Sequence, residues 1–198
     1  MTAKTTLRWV GLLSGAALAA SLHAAPKPGA PAPDFALTDI DGKAVTLAEF
    51  KGKHVVLEWT NPNCPYVGKH YDTGNMQSLQ KSYAGKQVIW LSIASTRPGH
   101  PEYASEKQIQ QWLGEKKAAP TRAILDKDGK VGRLYDARTT PHMFVIDPQG
   151  RLVFAGGIDD KRTWSHEDVK TAKNFVRAAL DESLAGKPVT VASAVPYG

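Results

Sequence analysis

The chain has 198 residues, with 25 Lys or Arg against 19 Asp or Glu for a formal charge of +6, and a single cysteine. Basic and acidic residues are interleaved along it, which argues for a mixed solvated surface and against nucleic-acid binding. One cysteine excludes a disulfide within the chain, and the length is enough to bury a core without covalent or metal staples.

The first 24 residues read as a secretory signal peptide. Lys4 and Arg8 give a positive start, residues 9–22 form an uncharged, mostly apolar run, and Ala24 and Ala25 offer small residues for cleavage. The apolar run is short for a membrane span, so no stable span is expected after cleavage. Removal of Lys4 and Arg8 lowers the charge by two, to +4. The expected location is outside the cytoplasm, the periplasm in a two-membrane bacterium.

Residues 25–33, Ala-Pro-Lys-Pro-Gly-Ala-Pro-Ala-Pro, read as a flexible extended leader. A domain is expected over 34–184. It opens with a hairpin, strands 35–38 and 44–47 around a turn at 39–43. Asp39, Asp41 and Gly42 resemble the start of a calcium loop, but Phe50 stands where the bidentate Glu belongs, so a simple turn is expected. Residues 54–59 and 88–94 are short apolar runs of the kind buried in a parallel sheet. Helical patterns cover 68–83, 102–115 and 169–184, with Ile109, Trp112 and Leu113 on one face of the second. Between the last two lie a strand at 123–126, a short helix containing Val131, Leu134 and Tyr135, and a hairpin pairing 143–146 with 151–156 through Asp147-Pro148-Gln149-Gly150. The order predicts an α/β fold with one mixed sheet flanked by helices. Residues 185–198 read as an irregular tail.

Cys64 falls where the strand at 54–59 gives way to the first helix. Backbone N–H groups at a helix start favour negative charge and therefore the thiolate, the reactive form of cysteine. The competing reading of a lone cysteine is a small buried apolar residue.

Four features together resemble the thioredoxin fold and, within it, the redoxin group that includes the alkyl hydroperoxide reductase and thiol-specific antioxidant family. They are Ala32-Pro33-Asp34-Phe35 with its hairpin, the Cys64 junction, Thr140-Pro141 directly before a strand, and Phe144-Val145-Ile146-Asp147-Pro148-Gln149-Gly150. The similarity spans residue 31 to about residue 184 and is to a peroxiredoxin-like branch with a single active-site cysteine. It implies a cis Pro141 opposite Cys64, leaving the Thr140 backbone to pair with an extended substrate. It also places Glu58 where thioredoxins carry a buried acid that relays protons, with desolvation raising its pKa. Pro65 and Tyr66, next to the thiol, join Thr140 and Pro141 as expected substrate contacts.

The chain departs from the family pattern in two ways. Thioredoxin-like reductants use Cys-x-x-Cys, whose second thiol releases the substrate, whereas Cys64-Pro65-Tyr66-Val67 has Val67 there. Peroxiredoxins polarise peroxide with a Thr three residues before the cysteine and an Arg near the later strand. Here Asn61 takes the Thr position, Thr60 sits one residue away, Pro141 falls where the Arg aligns, and Arg138 lies three residues earlier. In this branch a Pro-Tyr-Gly such as Pro196-Tyr197-Gly198 is often followed by a cysteine, which would serve as resolving thiol.

The expected activity is an exported thiol oxidoreductase in which Cys64 attacks a protein disulfide or a hydroperoxide, assisted by Glu58, Asn61 and Thr60, with an external thiol as reductant. Two rivals remain. One is a non-catalytic binding module that keeps the peptide groove; the other is copper delivery through Cys64, His70 and His142. His142, beside Pro141, is alternatively a modulator of the thiolate. No nucleotide, flavin or haem motif is present, and neither cofactor nor metal is expected.

Overall fold

The computed structural model describes residues 25–198; the signal-peptide reading of 1–24 lies outside the described residues. Seven strands and five α-helices follow one another as β1 (Ala36–Thr38), β2 (Ala44–Thr46), β3 (His54–Trp59), α1 (Pro65–Asp72), α2 (Asn75–Ala84), β4 (Val88–Ala94), α3 (Glu106–Glu115), β5 (Arg122–Leu125), α4 (Lys130–Leu134), β6 (His142–Ile146), β7 (Leu152–Gly156) and α5 (Phe175–Leu184). The main sheet has the order β5-β4-β3-β6-β7. β3, β4 and β5 run parallel, and β6 and β7 continue antiparallel.

β3 is central, and all six of its residues, His-Val-Val-Leu-Glu-Trp, are buried. Alternation sends Val56 into one layer, with Tyr71, Met76, Leu79, Trp90 and Leu180 from α1, α2, β4 and α5. Val55, Leu57 and Trp59 enter the other, with Phe35, Val45 and Phe50 from the hairpin side and Tyr135 from the C-cap of α4. Each such fully buried side chain contributes roughly 1.5–3 kcal/mol. Both faces being covered explains why β3 and β4 read as near-continuous apolar runs.

The strands lie close to where the sequence puts them, but the helices differ. The helix expected over 68–83 is two, because Gly74 adopts a left-handed conformation (φ 73°) between α1 and α2. α3 starts four residues later than expected, at Glu106, where Ser105 and Gln108 form a capping box. α5 starts at Phe175 behind an Asn174 cap, and part of the expected first turns is a 3-10 turn at His166–Lys170.

Both ends of the described chain are bound to the sheet. The Gly29 amide donates to the Leu152 carbonyl at 2.7 Å, and Ala32 to Gly150 at 2.9 Å. The proline-rich leader is thus paired to the start of β7 over 29–32 and is not a free tether there. The other end, expected as a tail, runs beside β7: Ala155 donates to the Ala192 carbonyl at 3.1 Å and Ala194 to the Ala155 carbonyl at 3.2 Å. Among the described residues, no helix is long and apolar enough to cross a membrane.

Candidate active site

Cys64 is the N-cap of α1, with Pro65 at the first helical position, where its missing N–H is no loss. The loop from β3 to this cap is rigidly held. Thr60 donates to the Ile93 carbonyl at 2.9 Å and Cys64 to the Asn61 carbonyl at 3.1 Å. The Asn61 side chain accepts from Asn63 N–H at 2.9 Å and donates to Thr96 Oγ1 at 3.2 Å and to the Glu102 carbonyl at 3.4 Å.

The thiol is half-buried, and its Sγ donates to the Thr140 carbonyl at 3.0 Å. The Thr140–Pro141 bond is cis. A carbonyl can accept from a thiol but offers nothing to a thiolate, so this contact belongs to the protonated form and breaks when the sulfur ionises. Beside the sulfur opens a cavity of about 460 Å³, whose walls include Asn61, Tyr66, Thr96, Glu102, Thr140 and Gly198.

Glu58 lies on β3 in the layer covered by α1 and α2 and is fully buried. Tyr71 of α1 donates to its Oε1 at 2.7 Å and Trp90 Nε1 to its Oε2 at 2.6 Å. Burial dominates these hydrogen bonds and raises the carboxyl to about 7. Thr60 and Gln80 face the same carboxyl, yet among the described residues Thr60 Oγ1 and Gln80 Nε2 complete no hydrogen bond of good geometry. Its burial rules out a solvated carboxylate at the strand end.

Thr60, Asn61, Cys64, Pro65, Tyr66 and Thr140 are thus brought around one cavity, with Glu58 beneath α1. The candidate peroxide donors already have partners within the chain. Asn61's amide is engaged in holding the loop, and the exposed Arg138 guanidinium is bound by Asp136 through Nε at 2.9 Å and Nη2 at 2.6 Å. The reading of Thr140 as an open backbone edge also changes, because Gly198 packs against it: a Cβ on Gly198 would lie 2.2 Å from the Thr140 oxygen.

The histidines are placed elsewhere in function. His142 Nδ1 accepts from the Arg138 N–H at 3.3 Å, and burial lowers it to about 4, so near neutral pH it carries no charge to stabilise a thiolate. His70 is wholly buried, held by Asn75 at 2.8 Å and Tyr197 at 3.3 Å, and burial with the adjacent Lys69 lowers it to about 3. Among the described residues, no three His, Cys, Asp or Glu side chains group as a metal site.

Sequence reasoning missed one cluster altogether. Lys69 Nζ, fully buried, donates to the Lys161 carbonyl at 2.6 Å and lies 3.4 Å from Asp159, which accepts the Tyr197 hydroxyl. The cluster joins α1, the segment after β7 and the far end of the chain. Its only sequence signal is Lys69-His70 on the inward side of an α-helix.

The chain matches the AhpC/TSA family over residues 28–155. It is 26% identical to the thiol-disulfide oxidoreductase ResA of Bacillus subtilis over 125 residues, 63% of this chain and 64% of that protein. To the ResA of Bacillus thuringiensis it is 27% identical over 125 residues, with 63% and 66% covered, so the chain spans about two thirds of these relatives. Among solved structures, an uncharacterized conserved protein from Geobacillus kaustophilus superposes with TM-score 0.70 at 27% identity, covering 85% and 86% of the two chains. A hypothetical protein from Sinorhizobium meliloti 1021 gives 0.72 at 25%, covering 86% and 93%. A putative thiol:disulfide interchange protein DsbE from Chlorobium tepidum gives 0.55 at 24%, covering 66% and 85%, a likeness of fold. With the family match covering more than half its length, a thioredoxin-like sheet and Cys64 at the first strand-to-helix junction, this chain belongs to the AhpC/TSA family.

Proposed function

We propose that the protein is an exported thiol-disulfide oxidoreductase acting through the single thiol of Cys64. The observation that carries the reading is the half-buried Cys64 sulfur at the α1 N-cap, 3.0 Å from the Thr140 carbonyl and open to a cavity. Once ionised, the sulfur attacks one sulfur of a disulfide, forming a mixed disulfide while the other sulfur leaves as thiolate and takes up a proton. Glu58 is the proton store: a carboxyl held at about 7 is partly protonated near neutral pH and can give or take a proton there. Val67 stands where a Cys-x-x-Cys motif has its second cysteine, so position 67 supplies no resolving thiol, and a second thiol from elsewhere completes the cycle by attacking the mixed disulfide.

Disulfide chemistry is favoured over peroxide reduction by the site's donors. A peroxide needs hydrogen-bond donors aimed at its oxygens; the Asn61 amide braces the loop, Thr60 Oγ1 faces Glu58, and the Arg138 guanidinium at the cavity wall is paired with Asp136. The ResA relatives, named as thiol-disulfide oxidoreductases, support the same choice. Export rests on the composition of residues 1–24.

The test is to mix the reduced protein with glutathione disulfide and, separately, hydrogen peroxide, and to follow adducts by intact mass. A mixed disulfide on Cys64 that forms faster than sulfenic acid, and is released by added thiol, supports the proposal. Faster sulfenic acid formation would move it to peroxide reduction.

A further inference from the structure

Residues 192–198 are seated with more care than a loose tail requires. They cross the end of β7 at two adjacent glycines. A Cβ on Gly156 would lie 2.2 Å from the Ala194 oxygen, and one on Gly157 would lie 2.8 Å from the Val195 oxygen, so only glycine permits this approach of the two backbones. Side chains along the segment alternate, with Ala192, Ala194 and Pro196 more buried than Val191, Ser193 and Val195.

Tyr197 then locks the segment down. Its ring packs against Tyr66, with centroids 5.9 Å apart, and Lys69 Nζ lies 5.3 Å from the ring centre. Its hydroxyl donates to Asp159 and lies 3.3 Å from His70 Nε2. Lys69, His70 and Asp159 are themselves buried, so the hydroxyl answers polar groups that would otherwise lack this partner in the interior.

The lock sets the position of Gly198. Its Cα lies so close to Thr140 that an added Cβ would be 2.2 Å from the oxygen and 2.8 Å from the nitrogen of that residue. Those two backbone groups are the ones an extended polypeptide would need for strand-like pairing beside the sulfur. The cavity beside the sulfur persists with Gly198 in place, walled by Asn61, Thr96 and Glu102 as well as by Thr140 and Gly198. At about 460 Å³ it falls within the size range of small-molecule sites.

We infer that Tyr197 and Gly198 are specificity determinants that reserve Cys64 for small disulfides, such as a tripeptide-sized thiol dimer, over disulfides embedded in extended polypeptide. This rests on the thiol-disulfide reading above. The chemistry is unchanged: the Cys64 thiolate bonds to one sulfur, the S–S bond breaks, and the departing thiolate takes the proton.

The test compares single-turnover rates of mixed-disulfide formation on Cys64 with glutathione disulfide and with a disulfide-linked extended peptide. Three proteins are used: the wild type, Tyr197→Ala, and the chain lacking Gly198. The second variant removes one exposed residue that contributes no side chain to the Tyr197 contacts or the core. Wild type should favour glutathione disulfide. In each folded variant the peptide-to-glutathione rate ratio should rise about tenfold, the effect of regaining one or two backbone hydrogen bonds at Thr140. A ratio unchanged in the chain lacking Gly198, or a wild type that takes the peptide as readily as glutathione disulfide, overturns the inference. If Cys64 forms no adduct with either reagent in any of the three, the oxidoreductase reading falls, and the inference with it.

Discussion

Glu58→Gln tests the buried acid through stability as well as through rate. Burial holds the Glu58 carboxyl at about 7 in the fold, against an unperturbed value of 4.5. The fold therefore keeps a proton that the unfolded chain has already lost between those two values. The stabilisation is present in full below pH 4.5 and declines as pH rises to about 7, above which Glu58 is a buried anion. At ~1.4 kcal/mol per pH unit, the gap corresponds to about 3 kcal/mol. The substituted glutamine is neutral throughout. Its side-chain oxygen can still accept from Trp90 Nε1 and its amide can donate to the Tyr71 hydroxyl, so the two hydrogen bonds of the wild type have counterparts. Urea unfolding of both proteins, followed by tryptophan fluorescence from pH 4.5 to pH 8, gives the difference directly, because every other titrating group cancels. The variant should gain about 3 kcal/mol on the wild type across that range, or roughly 6–12 °C in melting temperature for a domain of this size. A stability difference that stays constant with pH would refute the assignment of a raised, buried carboxyl.

Other expectations follow from the same contacts. Trp90→Phe removes a hydrogen bond that holds the Glu58 value down, so the inflection should move above 7, with about 1–3 kcal/mol lost at pH 8, measured in the same titration. Val67→Cys places a thiol three residues after Cys64 at a fully buried position; it should cost about 1 kcal/mol in chemical denaturation and create a dithiol that releases its own mixed disulfide without added thiol, read by thiol release. Glu58→Gln should slow mixed-disulfide formation near neutral pH by about 100-fold, the lower range for a lost general acid or base, and flatten its pH profile near 7. Phe154→Ala empties a fully buried position between the sheet and α5 and should cost about 3–5 kcal/mol in the same denaturation, with little change in Cys64 reactivity per folded molecule.

The strands were legible because β3 and β4 are buried on both faces and β1 with β2 brackets a turn built on Asp39 and Gly42. Cys64 at a helix start and Thr140-Pro141 before β6 were legible as local signals. The break between α1 and α2 was available in Gly74, and the start of α3 in the Ser105-to-Gln108 spacing, but apolar periodicity on either side hid both. What no local pattern carries is the meeting of Lys69, His70, Asp159 and Tyr197. Tyr197 lies 127 positions from His70 and joins it only because the chain after α5 returns along β7. The same return covers Thr140, so the edge that sequence similarity offers to an extended substrate is already packed against Gly198. Asn61 illustrates a third kind of limit. Its position suggested a peroxide donor, while its side chain is the brace that holds the loop before the sulfur.

The central claim, that the fold makes Cys64 a reactive thiol that exchanges with disulfides, is tested most directly by comparing the same cysteine in two states. The rate of glutathione mixed-disulfide formation on Cys64 at pH 7 is measured in the native protein and in the urea-unfolded chain, with Cys64→Ser as the blank. The account predicts a native rate at least about tenfold above that of the unfolded chain, where Cys64 is an ordinary thiol, and no adduct on Cys64→Ser. A native Cys64 that reacts no faster than the unfolded one would contradict it.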